Sequence, residues 1–258
     1  MKPGLYDQLL TMALKHNLDS LADPRLFALA PVDSEDAHTV ISQFLEHILA
    51  NGLATFRGQD AVNQQRRLVE RILQSLSEEL GENWTRNLSI ATPFKRLVAV
   101  HTQPRDSLLD RPDTPLARCA LLTGTRLDPS LGSQLRKEIS TADRVDILCS
   151  FIRWSGLRVL MEDLRRLTER EDCAGPRLRV ITTSYMGATD PEAVDAIREL
   201  PNTEVRVSYD TKRTRLHAKA YLFHRDTGFG SAYVGSANLS NAALSEGLEW
   251  TTTISHYE

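Results

Sequence analysis

Cysteine is scarce in this chain of 258 residues: Cys119, Cys149 and Cys173 are odd in number, widely separated and without metal-ligand spacing. That excludes a disulfide framework and a cysteine-built metal site, and it fits buried thiols in a reducing cytoplasm. No apolar run approaches the roughly 20 residues of a membrane-spanning helix. The first residues lack the charged-then-apolar pattern of a secretion signal; Leu9 and Leu10 belong to a short amphipathic segment. A cytoplasmic protein with no membrane partner is expected. Three glycine signatures are also missing. Without Gly-x-x-x-x-Gly-Lys-Ser/Thr there is no visible ATP-hydrolysing loop, and without Gly-x-Gly-x-x-Gly no dinucleotide turn. The Gly-x-Ser-x-Gly elbow of many hydrolases is absent too. Charge of one sign does not dominate. The net charge of −3 excludes a polycation, although Arg206, Lys212, Arg213, Arg215 and Lys219 cluster against the single acid Asp210.

What is present falls into two parts. Up to residue 103 the pattern is helical. Leu5, Leu9, Leu10 and Leu14 recur at helical intervals, as do Ile41, Phe44, Leu45 and Ile48 after the acidic start Asp33 to Asp36. Leu68, Ile72, Leu73, Leu76 and Leu80 mark a third helix. His16, His38, His47 and His101 are isolated, so this region is expected to pack, dimerise or couple to a partner. Residues 104–116, with Pro104, Pro112 and Pro115, read as a linker.

From 117 to 258 strands and helices alternate. Arg144 to Phe151 is a continuous apolar strand of the kind covered on both faces. An amphipathic helix follows at Leu157, Leu160, Met161, Leu164 and Leu167. Strands are expected at Leu178–Thr182, Val205–Tyr209, Leu216–Phe223, Ala232–Ser236 and Leu248–Ile254. A helix runs from Pro191 to Leu200, with Thr189 and Asp190 as its cap. Trp250 is expected in the core. The fold class is therefore α/β: a mixed β-sheet with flanking helices, preceded by a helical N-terminal region.

The chemistry concentrates in two short phrases, His217-Ala218-Lys219 and Gly235-Ser236-Ala237-Asn238. Residues two apart on a strand share a face. His217 then lies beside Lys219, and Ser236 beside Asn238, on successive strands. Together they offer a nucleophile, a fixed cation and two neutral hydrogen-bonding side chains, a set that suits a phosphate ester. One histidine cannot readily attack and also protonate the leaving group in the same step. A twofold dimer supplies the second. Lys212, Arg213 and Arg215 are candidates for guiding an anionic substrate.

His217-x-Lys219 with Gly235-Ser236-x-Asn238 resembles the His-x-Lys motif of the phospholipase D superfamily. Residues 117–258 look most like the nuclease module at the N-terminus of some bacterial superfamily 2 helicases linked to restriction or phage defence. Leu216 to Tyr221, Gly235 to Ser240 and Gly247-Leu248-Glu249-Trp250 carry that closer likeness. The resemblance implies a phospholipase D-like domain acting without metal or cofactor. It also implies a homodimer, nucleic acid as substrate with DNA foremost, and a helicase domain in the same longer polypeptide. The longer motif has an aspartate five residues after the lysine; here His224 stands there, with Asp226 two further on. That departure argues against a lipase more than against a nuclease. In restriction-type members a downstream glutamate supports the histidine; Glu249 matches best and Glu246 is the near alternative. His224 is expected as a strand-end surface histidine.

The leading expectation is a metal-independent nuclease working through a phosphohistidine at His217, with Lys219, Ser236, Asn238 and Glu249 completing the site. Two alternatives stand beside it. One is a phospholipase or phosphatidyl transferase. The other is a catalytically silent nucleic-acid-binding and dimerisation module of a helicase.

Overall fold

The computed structural model describes residues 2–21, 23–81, 85, 88–100, 110–170, 175–210, 212, 215–245 and 247–257. The expected linker over 104–116 lies partly outside these residues, and His101, Cys173, Arg213 and Glu246 lie wholly outside them. The chain divides into two units, residues 1–98 and 99–258.

Among the described residues the first unit has the α-helices α1 (Met12–Asp19), α2 (Ala37–Ala54) and α3 (Ala61–Leu80). The first starts later than the leucine spacing from Leu5 suggests. Thr11 adopts extended backbone, and its hydroxyl accepts a hydrogen bond from Leu14 N at 3.2 Å, so the helix is capped there. Leu5 is left exposed. Neither α2 nor α3 contains a fully buried residue, and Ile41, Leu45 and Ile48 of α2 stay about half exposed.

The second unit is built on a seven-stranded sheet. Its strands are β1 (Ala120–Leu122), β2 (Arg144–Cys149), β3 (Leu178–Thr183), β4 (Thr203–Ser208), β5 (Lys219–His224), β6 (Phe229–Gly235) and β7 (Thr251–Tyr257). Their spatial order is β1-β7-β6-β5-β2-β3-β4. The pairs β2–β3 and β3–β4 are parallel; all others are antiparallel. Among the described residues of this unit the α-helices are α4 (Leu131–Thr141), α5 (Trp154–Thr168), α6 (Pro191–Arg198) and α7 (Asn241–Ser245). Helices α5 and α6 are the crossovers that parallel neighbours require.

One core joins these elements. Leu131, Leu135 and Ile139 of α4 and Leu157, Leu160, Leu164 and Leu167 of α5 recur at helical spacing. They meet Val145, Ile147, Leu178, Val180, Tyr221, Phe223 and Tyr233 on one face of the sheet. Each such leucine, fully buried, contributes about 1.5–3 kcal/mol before entropy is charged against it. The alternate strand residues behave differently. Leu121, Ile181, Val234 and Ile254 are all more than 40% exposed. Strand β2 accordingly departs from the expectation of cover on both faces: Val145, Ile147 and Cys149 are buried, while Asp146 and Leu148 are only half-buried. Asp146 lies on that second face and is paired there with Arg179 (2.5 Å) and His224 (2.9 Å). Trp250 has the same parity as Thr252 and Ile254, so it too projects away from the helices and is exposed rather than in the core.

The strand directions decide where the chemistry can sit. The C-terminal ends of β1, β2, β3, β4 and β6 and the N-terminal ends of β5 and β7 share one edge. In open sheets with parallel strands this is the edge at which ligands bind.

Candidate active site

His217 and Lys219 enter the edge from the loop before β5. The strand starts at Lys219, not at Leu216, so His217 precedes it. On the other side, Gly235 ends β6, and Ser236 and Asn238 follow it on non-strand backbone. The segment departs from the sheet because it finds other partners. Leu239 N donates to Phe151 O (3.2 Å) and Arg153 N donates to Leu239 O (2.9 Å), which fastens residues 238–240 across the end of β2. Gly235 permits the close approach of β7: a Cβ at this position would lie 2.1 Å from Trp250 O. Ser236 N donates to that same carbonyl at 3.1 Å.

The residues singled out by sequence converge as follows. Lys219 is 6% exposed, and its Nζ lies 3.1 Å from each ring nitrogen of His217 and donates to the His217 carbonyl at 3.0 Å. His217 itself is exposed. The ring of Phe151 stands edge-on to the imidazole, 6.3 Å between centroids. The side-chain oxygen of Asn238 accepts from Phe151 N at 3.2 Å, which leaves the amide NH2 as its donor group. Ser236 Oγ donates to the Glu249 carboxylate and accepts from Trp250 N at 3.2 Å. Glu249 therefore contacts Ser236, and its charge also acts on Lys219. It sits before β7, which begins at Thr251 rather than at Leu248.

The electrostatics follow from burial. Desolvation pushes the Lys219 ammonium below the usual lysine range, and the negative charge of Glu249 opposes that shift. Cys149, paired with Lys219 across β2 and β5, has its thiol pushed up by burial and stays neutral at pH 7. The Cys149 sulfur accepts from Leu239 N at 3.2 Å and the buried Tyr221 hydroxyl donates to Ala237 O at 3.1 Å. These two residues form the floor beneath the motif and hold its backbone.

Lys212 and Arg215 lie in the connection between β4 and β5. Arg215 stacks over Tyr185, 5.4 Å from the ring centroid. His224 lies at the other end of β5, 2.9 Å from Asp146, as expected of a strand-end surface histidine. Asp190 does not cap its own helix α6; its carboxylate accepts from Trp154 N (2.8 Å) and Arg153 Nη1 (2.8 Å) at the start of α5. Phe151 and Cys149 lacked any motif signal, and Tyr221 closed the first motif phrase without a role assigned to it. Their place was marked only by apolar strands running into the motif edge. Among the described residues no group of three His, Cys, Asp or Glu is arranged to hold a metal ion, and no helix is long and apolar enough to cross a membrane.

Residues 130–256 match the family described as NgoFVII restriction endonuclease N-terminal PLD domain. Among solved structures, NucT from Helicobacter pylori is 18% identical, over 53% of this chain and 84% of that chain, with a TM-score of 0.39. Nuc from Salmonella typhimurium, a phospholipase D family member, is 15% identical over 55% and 84%, with a TM-score of 0.34. Yeast tyrosyl-DNA phosphodiesterase is 13% identical over 44% and 25%, with a TM-score of 0.30. No curated protein sequence matches the chain.

Proposed function

We propose, from the premise that residues 130–256 are a phospholipase D superfamily domain with a restriction-nuclease match, that this protein hydrolyses phosphodiester bonds of nucleic acid, DNA foremost. The observation that carries the reading is the exposed His217 imidazole held against the buried cation of Lys219, at the edge where Ser236, Asn238 and Glu249 also converge. The chemistry is a double displacement. A neutral imidazole nitrogen of His217 attacks phosphorus; a P–N bond forms as the P–O bond to the leaving sugar oxygen breaks. Lys219 neutralises a non-bridging oxygen, and the Asn238 amide donates to the same group. Ser236 donates as well once its hydroxyl turns from Glu249.

The leaving oxygen takes a proton from a second imidazole. That imidazole then removes a proton from water, whose oxygen displaces the His217 nitrogen. A phosphate monoester leaves and both imidazoles return to their starting states. Each chain supplies one such histidine, so the second is the partner subunit's His217 in a twofold dimer. The exposure of His217 suits this meeting.

The test is DNA cleavage in the presence of a chelator. The parent protein is expected to cut and His217→Ala to lose the activity. A labelled phosphoenzyme should be recovered from the parent, stable in alkali and lost in acid. Cutting abolished by the chelator, or parental cutting by His217→Ala, would refute the mechanism.

A further inference from the structure

The catalytic edge does not end at β2. It continues onto β3 and β4, whose C-terminal ends lie beside it. Two tyrosines leave the sheet there. Thr183 and Ser208 are the last paired residues of β3 and β4. Two residues beyond the first comes Tyr185, and one beyond the second comes Tyr209, 78% exposed. Arg215, returning toward His217, lays its guanidinium over the Tyr185 ring at 5.4 Å. Tyr185 is half-buried, and the turn that carries it is unusual: Met186 adopts φ 61° and ψ 6°, a left-handed conformation rare for a residue with a side chain of this size. Such conformations concentrate where a backbone is shaped to hold a ligand.

A cation and two aromatic rings leading into a phosphodiester site have a specific meaning. Phosphate recognition needs no aromatic surface. Unpaired nucleobases do, because each base offers a flat face that stacks on tyrosine or on a guanidinium. A duplex offers such a face only where a base is flipped out of its stack, at a cost of a few kcal/mol. The spacing also fits. Neighbouring strands lie about 4.8 Å apart, which puts the β3 end about 10 Å and the β4 end about 14 Å along the edge from β5. Stacked nucleotides rise about 3.4 Å each, so that distance spans about three to four of them.

We propose that Tyr185, Arg215 and Tyr209 form a base-stacking subsite, and that the substrate reaching His217 is an unpaired nucleic-acid strand running along the ends of β2, β3 and β4. The proposal rests on the nucleic-acid reading above and adds the strand state of the substrate. Lys212, between Tyr209 and Arg215 in the chain, adds charge for the phosphates, and Asp210, whose side chain accepts from Lys212 N at 3.1 Å, limits the net positive charge there.

The experiment uses the full chain carrying His217→Ala, so that the probe survives. Binding is measured for a short oligothymidylate, for the same backbone made abasic, and for the matching duplex. Oligothymidylate is expected to bind more tightly than the abasic strand, on the order of tenfold per stacked base. Tyr185→Leu with Tyr209→Leu should bring that ratio to about one, whereas Tyr185→Phe with Tyr209→Phe, which keeps the rings, should preserve it. Equal affinity for base-bearing and abasic strands overturns the subsite, as does a ratio untouched by the leucine pair. If both strands then still bind with strong salt dependence, the nucleic-acid reading stands without the subsite. If no oligonucleotide binds and the parent protein cuts none, both readings fall.

Discussion

Glu138 offers the sharpest test of what holds the β5–β6 hairpin in shape. It lies on α4 and its side chain is 1% exposed; its partner Arg225, in the β5–β6 turn, is 5% exposed. The carboxylate accepts from Arg225 Nη2, from Ser231 Oγ at 2.8 Å and from Tyr233 OH at 3.0 Å. Glu138→Ala removes all three contacts at once and strands a guanidinium with no compensating charge. Removing one member of a buried pair costs about 3–5 kcal/mol. For a unit of about 160 residues, each kcal/mol lowers the melting temperature by about 2–4 °C. The melting temperature should therefore fall by about 6–20 °C in a calorimetric scan. The double variant Glu138→Leu with Arg225→Met should recover most of the loss, because apolar replacement of a buried pair is often close to neutral. The reasoning fails if Glu138→Ala melts within about 2 °C of the parent. It fails equally if the double variant is as unstable as the two single losses combined.

Three further outcomes follow from the same geometry. Burial lowers the pKa of Lys219, so between that value and 10.5 the unfolded chain holds a proton that the folded chain has released. Through this residue the unfolding free energy rises with pH across that window, and Lys219→Met should flatten that rise in denaturation curves at successive alkaline pH values. For Asp146, burial raises the pKa but the bonds from Arg179 and His224 outweigh it, and the carboxyl is held below 3.8. Its contribution, about 1 kcal/mol for a half-buried pair, is present above 3.8 and lost as pH falls through the folded value; Asp146→Asn should remove that part of the acid transition. Gly235→Ala would drive a Cβ into Trp250 O, parting β6 from β7 and displacing Ser236 from Glu249. We expect a loss of about 1–3 kcal/mol of stability and at least tenfold in cleavage. Gly230→Ala on the same strand, where the nearest atoms are 3.8 Å away, should change little in either assay.

The alternation of strand and helix from Arg144 to Ser208 was legible because each element carries a regular apolar spacing. The two motif phrases were legible too, but not every meeting: Glu249, expected to support His217, bonds Ser236 instead. What periodicity could not supply was the backbone on which they meet. His217, Ser236 and Asn238 look like strand residues because their neighbours alternate, yet residues 238–240 pair with the segment after β2 instead of extending β6. That competition between two hydrogen-bonding partners is tertiary and leaves no local trace. Asp190 shows the same limit: it stands where a cap for α6 belongs, and its carboxylate serves α5. Glu138 carries no motif signal at all; it is buried only because Arg225, remote in sequence, is brought against it. Trp250 erred in the other direction: a large aromatic beside the motif reads as core, but its parity on the approach to β7 turns it outward.

The hairpin of β5 and β6 has two ends with different duties. At its open end stand His217, Lys219, Ser236 and Asn238; at its closed end Arg225 is anchored to Glu138. The length of the strands separates the groups that would react from the groups that fasten. Substitutions at the closed end act first on the stability of the hairpin. Loops at the open end can exchange residues while the fastening stays as it is. A fold partitioned in this way can acquire new specificities one loop at a time, with the anchor held constant.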